Sequence, residues 1–183
     1  MSFQLTTERL LLRIEDRSKA REVLDFYIKN QDLFDRFEPT RPNGFYTLEF
    51  QTSYMDFEYN SIMQGKTLRY YLYRKEATDT LIGTVIFSRI EHGPFSRASI
   101  GYKIDKDHQH QGYAYEACQA ALSVIFSNYR IHRVEARVAP ANTPSIKLLE
   151  RLQFRFEGIE YQGVEVNGTF SDHYRYGLIS TIQ

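Results

Sequence analysis

A short loop with one glycine, between an apolar strand and an amphipathic helix, constrains the fold most strongly. The apolar segment is 99–104, the loop runs Gln109-His110-Gln111-Gly112-Tyr113-Ala114, and the helix extends from Tyr113 to about Tyr129. The free N–H groups of a first helical turn point outward, and the helix dipole adds partial positive charge there. Gly112 lets the backbone approach a ligand closely. The loop therefore predicts a site for a phosphate-bearing cofactor.

The composition is that of an ordinary globular protein. The chain has 183 residues, 42% of them hydrophobic, so we expect one domain over residues 1–183. Its 23 Lys and Arg balance 23 Asp and Glu, which argues against bulk attraction to nucleic acid or a membrane surface. No signal peptide or apolar run of membrane-spanning length is evident. The single cysteine, Cys118, fits a packed core position and a reducing cytoplasm.

Hydrophobic periodicity predicts the element order β-α-α-β-β-β-α-β-α-β-β, an α/β or α+β fold with a mixed sheet. The residues 36–46 carry two Pro and a Gly and are expected to form a loop. Asn167-Gly168 predicts a tight hairpin turn. The predicted strands are 5–14, 67–74, 80–90, 97–104, 132–138, 154–166 and 169–178, and the predicted helices are 17–30, 47–64, 113–128 and one that starts near Asn142.

Two patterns that suggest other functions have simpler interpretations. The Tyr-rich segment 69–74 is compatible with RNA stacking, but strand alternation and zero net charge favour a strand with one covered face. His108 and His110 have the spacing of a metal pair. We expect them to lie near a phosphate instead, and we predict no metal and no direct nucleic-acid partner.

Gln109-x-x-Gly112-x-Ala114 resembles the Gln/Arg-x-x-Gly-x-Gly/Ala signature of the GCN5-related N-acetyltransferase (GNAT) superfamily. Further segments resemble its RimJ/RimL-like branch, the ribosomal-protein alanine N-acetyltransferases, although Gln153 stands where glycine is usual and Phe37 where Trp is usual. These segments are 6–13, 37–39, 142–154, 157–158 and 167–173. The resemblance covers almost the whole chain. It implies the GNAT fold, a central mixed, mostly antiparallel twisted sheet of about seven strands flanked by about four helices.

The resemblance also implies acetyl-CoA as the donor and a primary amine as the acceptor. The pyrophosphate would lie on the N–H groups of about 110–114, and the pantetheine arm would run between strands 99–104 and 133–138. One strand N–H would polarise the thioester carbonyl. The residues expected to bind the donor are Ile100, Tyr102, Ile104, Gln109, His110, Gln111, Gly112, Tyr113, Ala114, Asn142 and Ser145. Helix capping alone is the alternative explanation of Asn142, and a first-turn position alone is that of Ser145; the donor-binding interpretation is preferred for both.

Aminolysis of a thioester needs a neutral amine and a proton for the departing thiolate. Neutralising an α-amine at pH 7 costs roughly 1 kcal/mol, against roughly 4.6 kcal/mol for a lysine. An α-amine therefore needs modest help, such as a carboxylate acting through water. By resemblance, Ser145 would protonate the thiolate. Glu38 and Glu135 are the candidate bases, with Glu38 ranked first, because Glu135 is explained equally by pairing with Arg133 or Arg137.

We therefore expect a cytoplasmic N-acetyltransferase that acetylates the N-terminal α-amine of a protein by direct attack in a ternary complex. A homodimer is compatible with the family. A small amine such as an amino acid, polyamine or antibiotic is the alternative acceptor. A non-catalytic CoA-sensing or partner-binding domain is an alternative of another class. A nucleotide-phosphate binder would accept ATP as well as CoA.

Overall fold

A computed structural model describes residues 2–181, which are built around one eight-stranded sheet. The strand order is β1-β2-β3-β4-β5-β6-β8-β7. Neighbouring strands β5 and β6 run parallel, and the other neighbours run antiparallel. The strands are β1 (Gln4–Thr6), β2 (Leu10–Arg13), β3 (Leu68–Arg74), β4 (Ala77–Glu91), β5 (Arg97–Ile104), β6 (Arg133–Val138), β7 (Arg155–Val166) and β8 (Thr169–Ile179). The helices are α1 (Ala20–Lys29), α2 (Gln31–Phe34), α3 (Leu48–Met63), α4 (Tyr113–Ser127) and α5 (Thr143–Arg151), with short 3-10 turns at Arg17–Lys19 and Lys106–His108.

This architecture confirms the predicted fold class, a mixed and mostly antiparallel sheet flanked by helices. The predicted single strand 5–14 is wrong, because a turn divides it into β1 and β2. Thr7 N donates to the Leu10 carbonyl at 3.0 Å, and Leu10 N donates to the Thr7 hydroxyl at 3.0 Å. The one-turn helix α2, which follows α1 after Asn30, was also not predicted. These short elements raise the counts to eight strands and five helices.

Helices cover the two faces of the sheet unequally. On the first face, α4 and α5 pack over a core that extends from β2 to β6 and contains Leu12, Phe87 and Val134. On the second face, α1 and α3 enclose an aromatic core around Tyr71 and Tyr73. The second face of β5 and β6 instead carries half-exposed polar and charged side chains.

Strand β3 lies where both faces are covered. The expectation of one covered face for 69–74 is therefore wrong. Even Arg69 is buried, because α3 supplies Glu58 as its partner at 2.8 Å. Cys118 is fully buried on α4, as predicted, and burial raises the pKa of its thiol. Between residues 2 and 181, each helix is too short or too polar to cross a membrane.

Local signals in the sequence set several element ends correctly. Helix α5 has Asn142 as its N-cap and proline in its first turn. The β7–β8 hairpin turns at Asn167 and Gly168, with φ of 51° and 77°. Both angles are positive, as the tight turns that suit a hairpin require.

Candidate active site

Strands β5 and β6 separate after three residue pairs. The last pair is Ser99 with Glu135, yet β5 continues to Ile104 and β6 to Val138. Asp105 N, just past β5, donates to the Ile82 carbonyl on β4 at 2.8 Å. Since successive backbone groups in a strand point to opposite edges, those of Tyr102 and Ile104 face away from β4, toward β6. The gap between β5 and β6 beyond Ser99 and Glu135 is called the β5–β6 opening. The edge of β5 that lines it offers main-chain donors and acceptors.

The glycine loop lies at the wide end of the β5–β6 opening. Gly112 has φ of 82° and precedes the first residue of α4, Tyr113, and His110 also has positive φ, 59°. A Cβ at Gly112 would come within 3.3 Å of the Arg9 guanidinium. The first amides of α4 have no partner within the helix. The loop therefore fits a phosphate group, with backbone donors, a helix dipole and a nearby guanidinium.

Arg9, in the turn between β1 and β2, connects this turn to the glycine loop. Its Nε lies 2.7 Å from Glu116 Oε2, its Nη1 donates to the Gln111 carbonyl at 2.9 Å, and its guanidinium lies over the Tyr113 ring. Burial raises the pKa of Glu116, but hydrogen bonds from Thr7 and Arg9 outweigh it and hold that pKa below its usual value. No local sequence pattern predicts this contact, because Arg9 reaches the loop only through the packing of segments that are distant in the chain.

Asp105 anchors the other side of the glycine loop. It is 1% exposed and accepts hydrogen bonds from Lys29, Asn30 and His108. Burial alone raises its pKa, but these hydrogen bonds outweigh that effect and lower the pKa to about 2. His108 is thus held by a carboxylate. The described residues contain no group of three or more His, Cys, Asp or Glu side chains that could hold a metal ion.

Two hydroxyl groups meet across the β5–β6 opening. Ser145 Oγ, in the first turn of α5, lies 2.8 Å from the Tyr102 phenol of β5. Burial raises the pKa of Tyr102, so its phenol keeps its proton at neutral pH. Asn142 Oδ1 accepts from Ser145 N at 3.3 Å, which confirms the capping role. The sequence pointed to Tyr102 only for its main chain, and its phenol was missed.

The predicted donor-binding residues thus lie along one path. The loop residues are Gln109, His110, Gln111, Gly112, Tyr113 and Ala114 at the start of α4. From there the edge of β5 leads past Ile104 and Tyr102 toward Ile100, with Asn142 and Ser145 on α5 beside it. The structure therefore brings the predicted set together around the β5–β6 opening.

The two candidate bases have different surroundings on the second face of the sheet. Both oxygens of Glu38 are engaged, one by Lys103 at 2.9 Å and the other by Arg41 at 2.5 Å. Glu135 pairs through Oε1 with Arg133 at 2.9 Å. Burial raises the pKa of Glu135, but its arginine neighbours outweigh that effect and lower it. Arg137, the other partner considered for Glu135, pairs instead with Glu160 at 2.6 Å.

The loop 36–46 and the β7–β8 hairpin meet above this face. Thr40 N donates to the Glu165 carbonyl at 3.2 Å, and Asn167 Nδ2 donates to the Asp35 carbonyl at 3.2 Å. Glu38 ties the same loop to Lys103 on β5. Loop and hairpin therefore form one wall of the second face, beside the β5–β6 opening.

A cavity of about 280 Å³ lies at the foot of the opening on the second face. Ser99 and Glu135, the pair at which the strands separate, contribute to its lining. The remaining polar lining is Arg89, Glu91, Arg97, Arg137 and Arg175. Of all the residues that line the cavity, the sequence identified only Glu135 as a candidate functional residue, because the lining comes from four different strands.

The sequence profile of the family described as "Acetyltransferase (GNAT) domain" matches residues 9–155. The chain belongs to this family. It is accordingly an acyltransferase, an N-acetyltransferase of the GNAT type, as its sequence motifs suggested.

Curated relatives carry the same activity in their names. The chain is 32% identical to a probable N-acetyltransferase, YjcK, of Bacillus subtilis, over 92% of this chain and 93% of the relative. It is 30% identical to the [ribosomal protein uS5]-alanine N-acetyltransferase of Escherichia coli, over 93% of this chain and 87% of the relative.

Solved structures share the fold closely. The ribosomal-protein-S5-alanine acetyltransferase of Vibrio fischeri superimposes with a TM-score of 0.93 at 24% identity, covering 99% of this chain and 98% of that one. RimL, a ribosomal L7/L12 α-N-protein acetyltransferase solved in complex with coenzyme A, has a TM-score of 0.88 at 22% identity, covering 98% of both chains.

Gly112→Ala is expected to weaken CoA binding at least tenfold, because it strains a left-handed position and crowds the Arg9 guanidinium. Gly93→Ala is the matched control, since Gly93 has nearly the same φ, 78°, with nothing within 4 Å of a Cβ. Calorimetric titration with CoA and thermal unfolding of both variants provide the measurements. If both variants lost similar stability and bound CoA with equal affinity, the glycine loop would not be part of the donor site.

Asp105→Asn is expected to lower the free energy of unfolding at pH 7 by about 2 kcal/mol, because it removes a buried carboxylate whose pKa is about 2 against an ordinary 3.8. The folded pKa is depressed, so the stabilisation is present above pH 3.8 and disappears as the pH falls through 2. Urea unfolding between pH 2 and pH 7 measures this difference. Asp107→Asn also removes a partner of Lys29, but at an exposed site, and should change stability by less than about 0.5 kcal/mol. If the difference in the free energy of unfolding between Asp105→Asn and the wild type did not change with pH, the stabilisation could not be assigned to the Asp105 carboxylate.

Proposed function

We propose that residues 1–183 form one cytoplasmic domain that transfers the acetyl group of acetyl-CoA to the N-terminal α-amine of a protein, a ribosomal protein by analogy with the relatives. The observation that carries the proposal is the β5–β6 opening. At its wide end lies the glycine loop, and at its foot, on the opposite face, lies the cavity lined by Ser99 and Glu135. Donor and acceptor are thereby able to approach one another from two faces of the same sheet.

The donor side is formed by main-chain groups more than by side chains. The amides at the start of α4, with Arg9 beside them, are suited to the pyrophosphate. The free edge of β5 at Tyr102 and Ile104 is suited to the amides of the pantetheine arm, as an added strand would be. When bound, acetyl-CoA supplies the reactive acetyl thioester.

Ser145 and Tyr102 provide a proton for the sulfur that leaves. As the amine nitrogen bonds to the acetyl carbon and the carbon–sulfur bond breaks, the Ser145 hydroxyl protonates the sulfur. Tyr102, 2.8 Å away and protonated, passes its proton to Ser145, and solvent water returns a proton to Tyr102 before the next turnover, which balances the proton that the amine releases to water through Glu135. The start of α5 adds a favourable dipole for negative charge on the sulfur.

Glu135 is the better placed of the two carboxylates to receive the proton of the amine through water. It lies at the foot of the opening, and its ion pairs with Arg133 and Arg175 both involve Oε1, so Oε2 remains to accept. Glu38 would have to release Lys103 or Arg41 first. We therefore reverse the order suggested by the sequence and assign Glu38 to holding the loop 36–46 against β5.

An α-amine suits this arrangement better than a lysine. The carboxylate of Glu135 has a lowered pKa and is a weak base, which suffices for an amine that is already partly neutral at pH 7. A lysine would require roughly 4.6 kcal/mol of deprotonation free energy. Cys118 is buried, so attack by the amine itself, without an acetylated enzyme, is the route we propose.

A peptide with a free N-terminal alanine or serine is expected to be acetylated, because its α-amine is partly neutral, whereas the same peptide with a blocked N-terminus and an internal lysine is not. Mass spectrometry of the products, with a polyamine and an aminoglycoside as parallel acceptors, is the measurement. Ser145→Ala should lower kcat about a hundredfold. Ser61→Ala, which changes an exposed serine of α3, is the control.

If a small amine were acetylated in preference to the peptide, the proposal of a protein acceptor would be wrong and the small amine would be the acceptor. CoA binding without turnover of any acceptor would make the chain a CoA-binding module. An acetylated enzyme formed from acetyl-CoA alone, seen by intact-protein mass spectrometry, would refute direct attack.

A further inference from the structure

The cavity at the foot of the β5–β6 opening has an unusual charge distribution for a surface of a neutral protein. Four guanidinium groups and two carboxylates line its 280 Å³. The chain as a whole carries equal numbers of acidic and basic side chains, 23 of each. The excess of positive charge is therefore local, and it lies on the face from which the acceptor approaches.

Ion pairs within the protein neutralise only part of this charge. Arg97 pairs with Glu91 at 2.9 Å, and Arg137 pairs with Glu160 at 2.6 Å. Glu135 Oε1 lies 2.9 Å from Arg133 Nε but 4.0 Å from Arg175 Nη2, so its close ion pair is with Arg133.

The Arg89 side chain has no ion pair or hydrogen bond with any residue between 2 and 181. Among residues 2–181, two of the four guanidinium groups, Arg89 and Arg175, thus have no carboxylate oxygen closer than 4.0 Å.

The backbone at Arg89 is strained in a way that directs this side chain. Between Ser88 and Glu91 the register of β4 against β5 shifts by one residue, which is a β-bulge. Arg89 occupies the bulge with φ of 52°, a left-handed conformation that arginine rarely adopts. Bulges re-aim side chains and are frequent beside active sites. Here the bulge brings an exposed guanidinium to the cavity wall.

We propose that Arg89 and Arg175 bind a carboxylate side chain of the acceptor, so that the preferred substrate is a protein N-terminus with Asp or Glu within its first three residues. The inference rests on the proposed function and names the acceptor of the same site. Guanidinium groups bind carboxylates through charge-assisted hydrogen bonds.

The test compares matched peptides that differ in one residue, Glu or Gln at the second or third position, with kcat and KM measured separately. The wild type is expected to show at least tenfold higher kcat/KM for the Glu peptide, mainly through KM. Arg175→Gln and Arg89→Gly should each reduce this ratio severalfold. Arg89→Gly should leave kcat/KM for the Gln peptide nearly unchanged, whereas Arg175→Gln also removes a charge beside Glu135 and is therefore assessed by the ratio alone. Arg89→Gly relieves the positive φ, so it should not reduce stability.

Arg21→Gln is the matched control, because Arg21 is exposed on α1, away from the cavity. Arg21→Gln should keep the wild-type ratio of kcat/KM values. All three variants should bind CoA with the wild-type affinity. If one arginine variant fails to fold, the other carries the test. Added salt should lower the selectivity of the wild type and have little effect on Arg175→Gln.

A wild-type ratio below about two, or a ratio that survives both arginine variants, overturns the inference while α-amine acetylation stands. Higher kcat/KM for free glutamate than for the Glu peptide would also overturn it, because the carboxylate would then belong to a small molecule. Acetylation of no peptide at all would refute the proposed function itself, and the inference with it.

Discussion

The separation of β5 from β6 is the constraint on which the rest of the site depends. Parallel neighbours cannot be joined by a tight turn and require a crossover, which is supplied here by the segment that contains α4. The start of this helix therefore lies at the carboxyl end of β5, where ligands of open α/β sheets bind. Because the strands part after three residue pairs, the same crossover places a helix start that is suited to an anion beside the edge of β5 that β6 leaves.

Two long-range networks keep this geometry rigid. Arg9 and Glu116 join the turn between β1 and β2 to the first turn of α4, and buried Asp105 joins the end of α1 to the residues before Gly112. Neither network provides a reacting group. Their role is to hold backbone amides in place before the donor arrives, which lowers the reorganisation that binding would otherwise require.

Sequence reasoning succeeded where the signal is local. The glycine loop, the Asn142 cap and the Asn167-Gly168 turn each depend on a few neighbouring residues and on the backbone angles that they favour. It failed where the outcome depends on what a segment packs against. Coverage of β3 on both faces follows from the positions of α1 and α3, and the cavity of four arginines exists only because the sheet aligns four strands.

The position of the donor in the β5–β6 opening is tested most directly by residue-resolved amide hydrogen exchange. Addition of CoA should slow exchange at Tyr102 and Ile104 at least tenfold, because their N–H groups face the opening. The neighbouring amides of Gly101 and Lys103 face β4, are already protected, and should change little. Unchanged exchange at Tyr102 and Ile104 under saturating CoA would contradict the account.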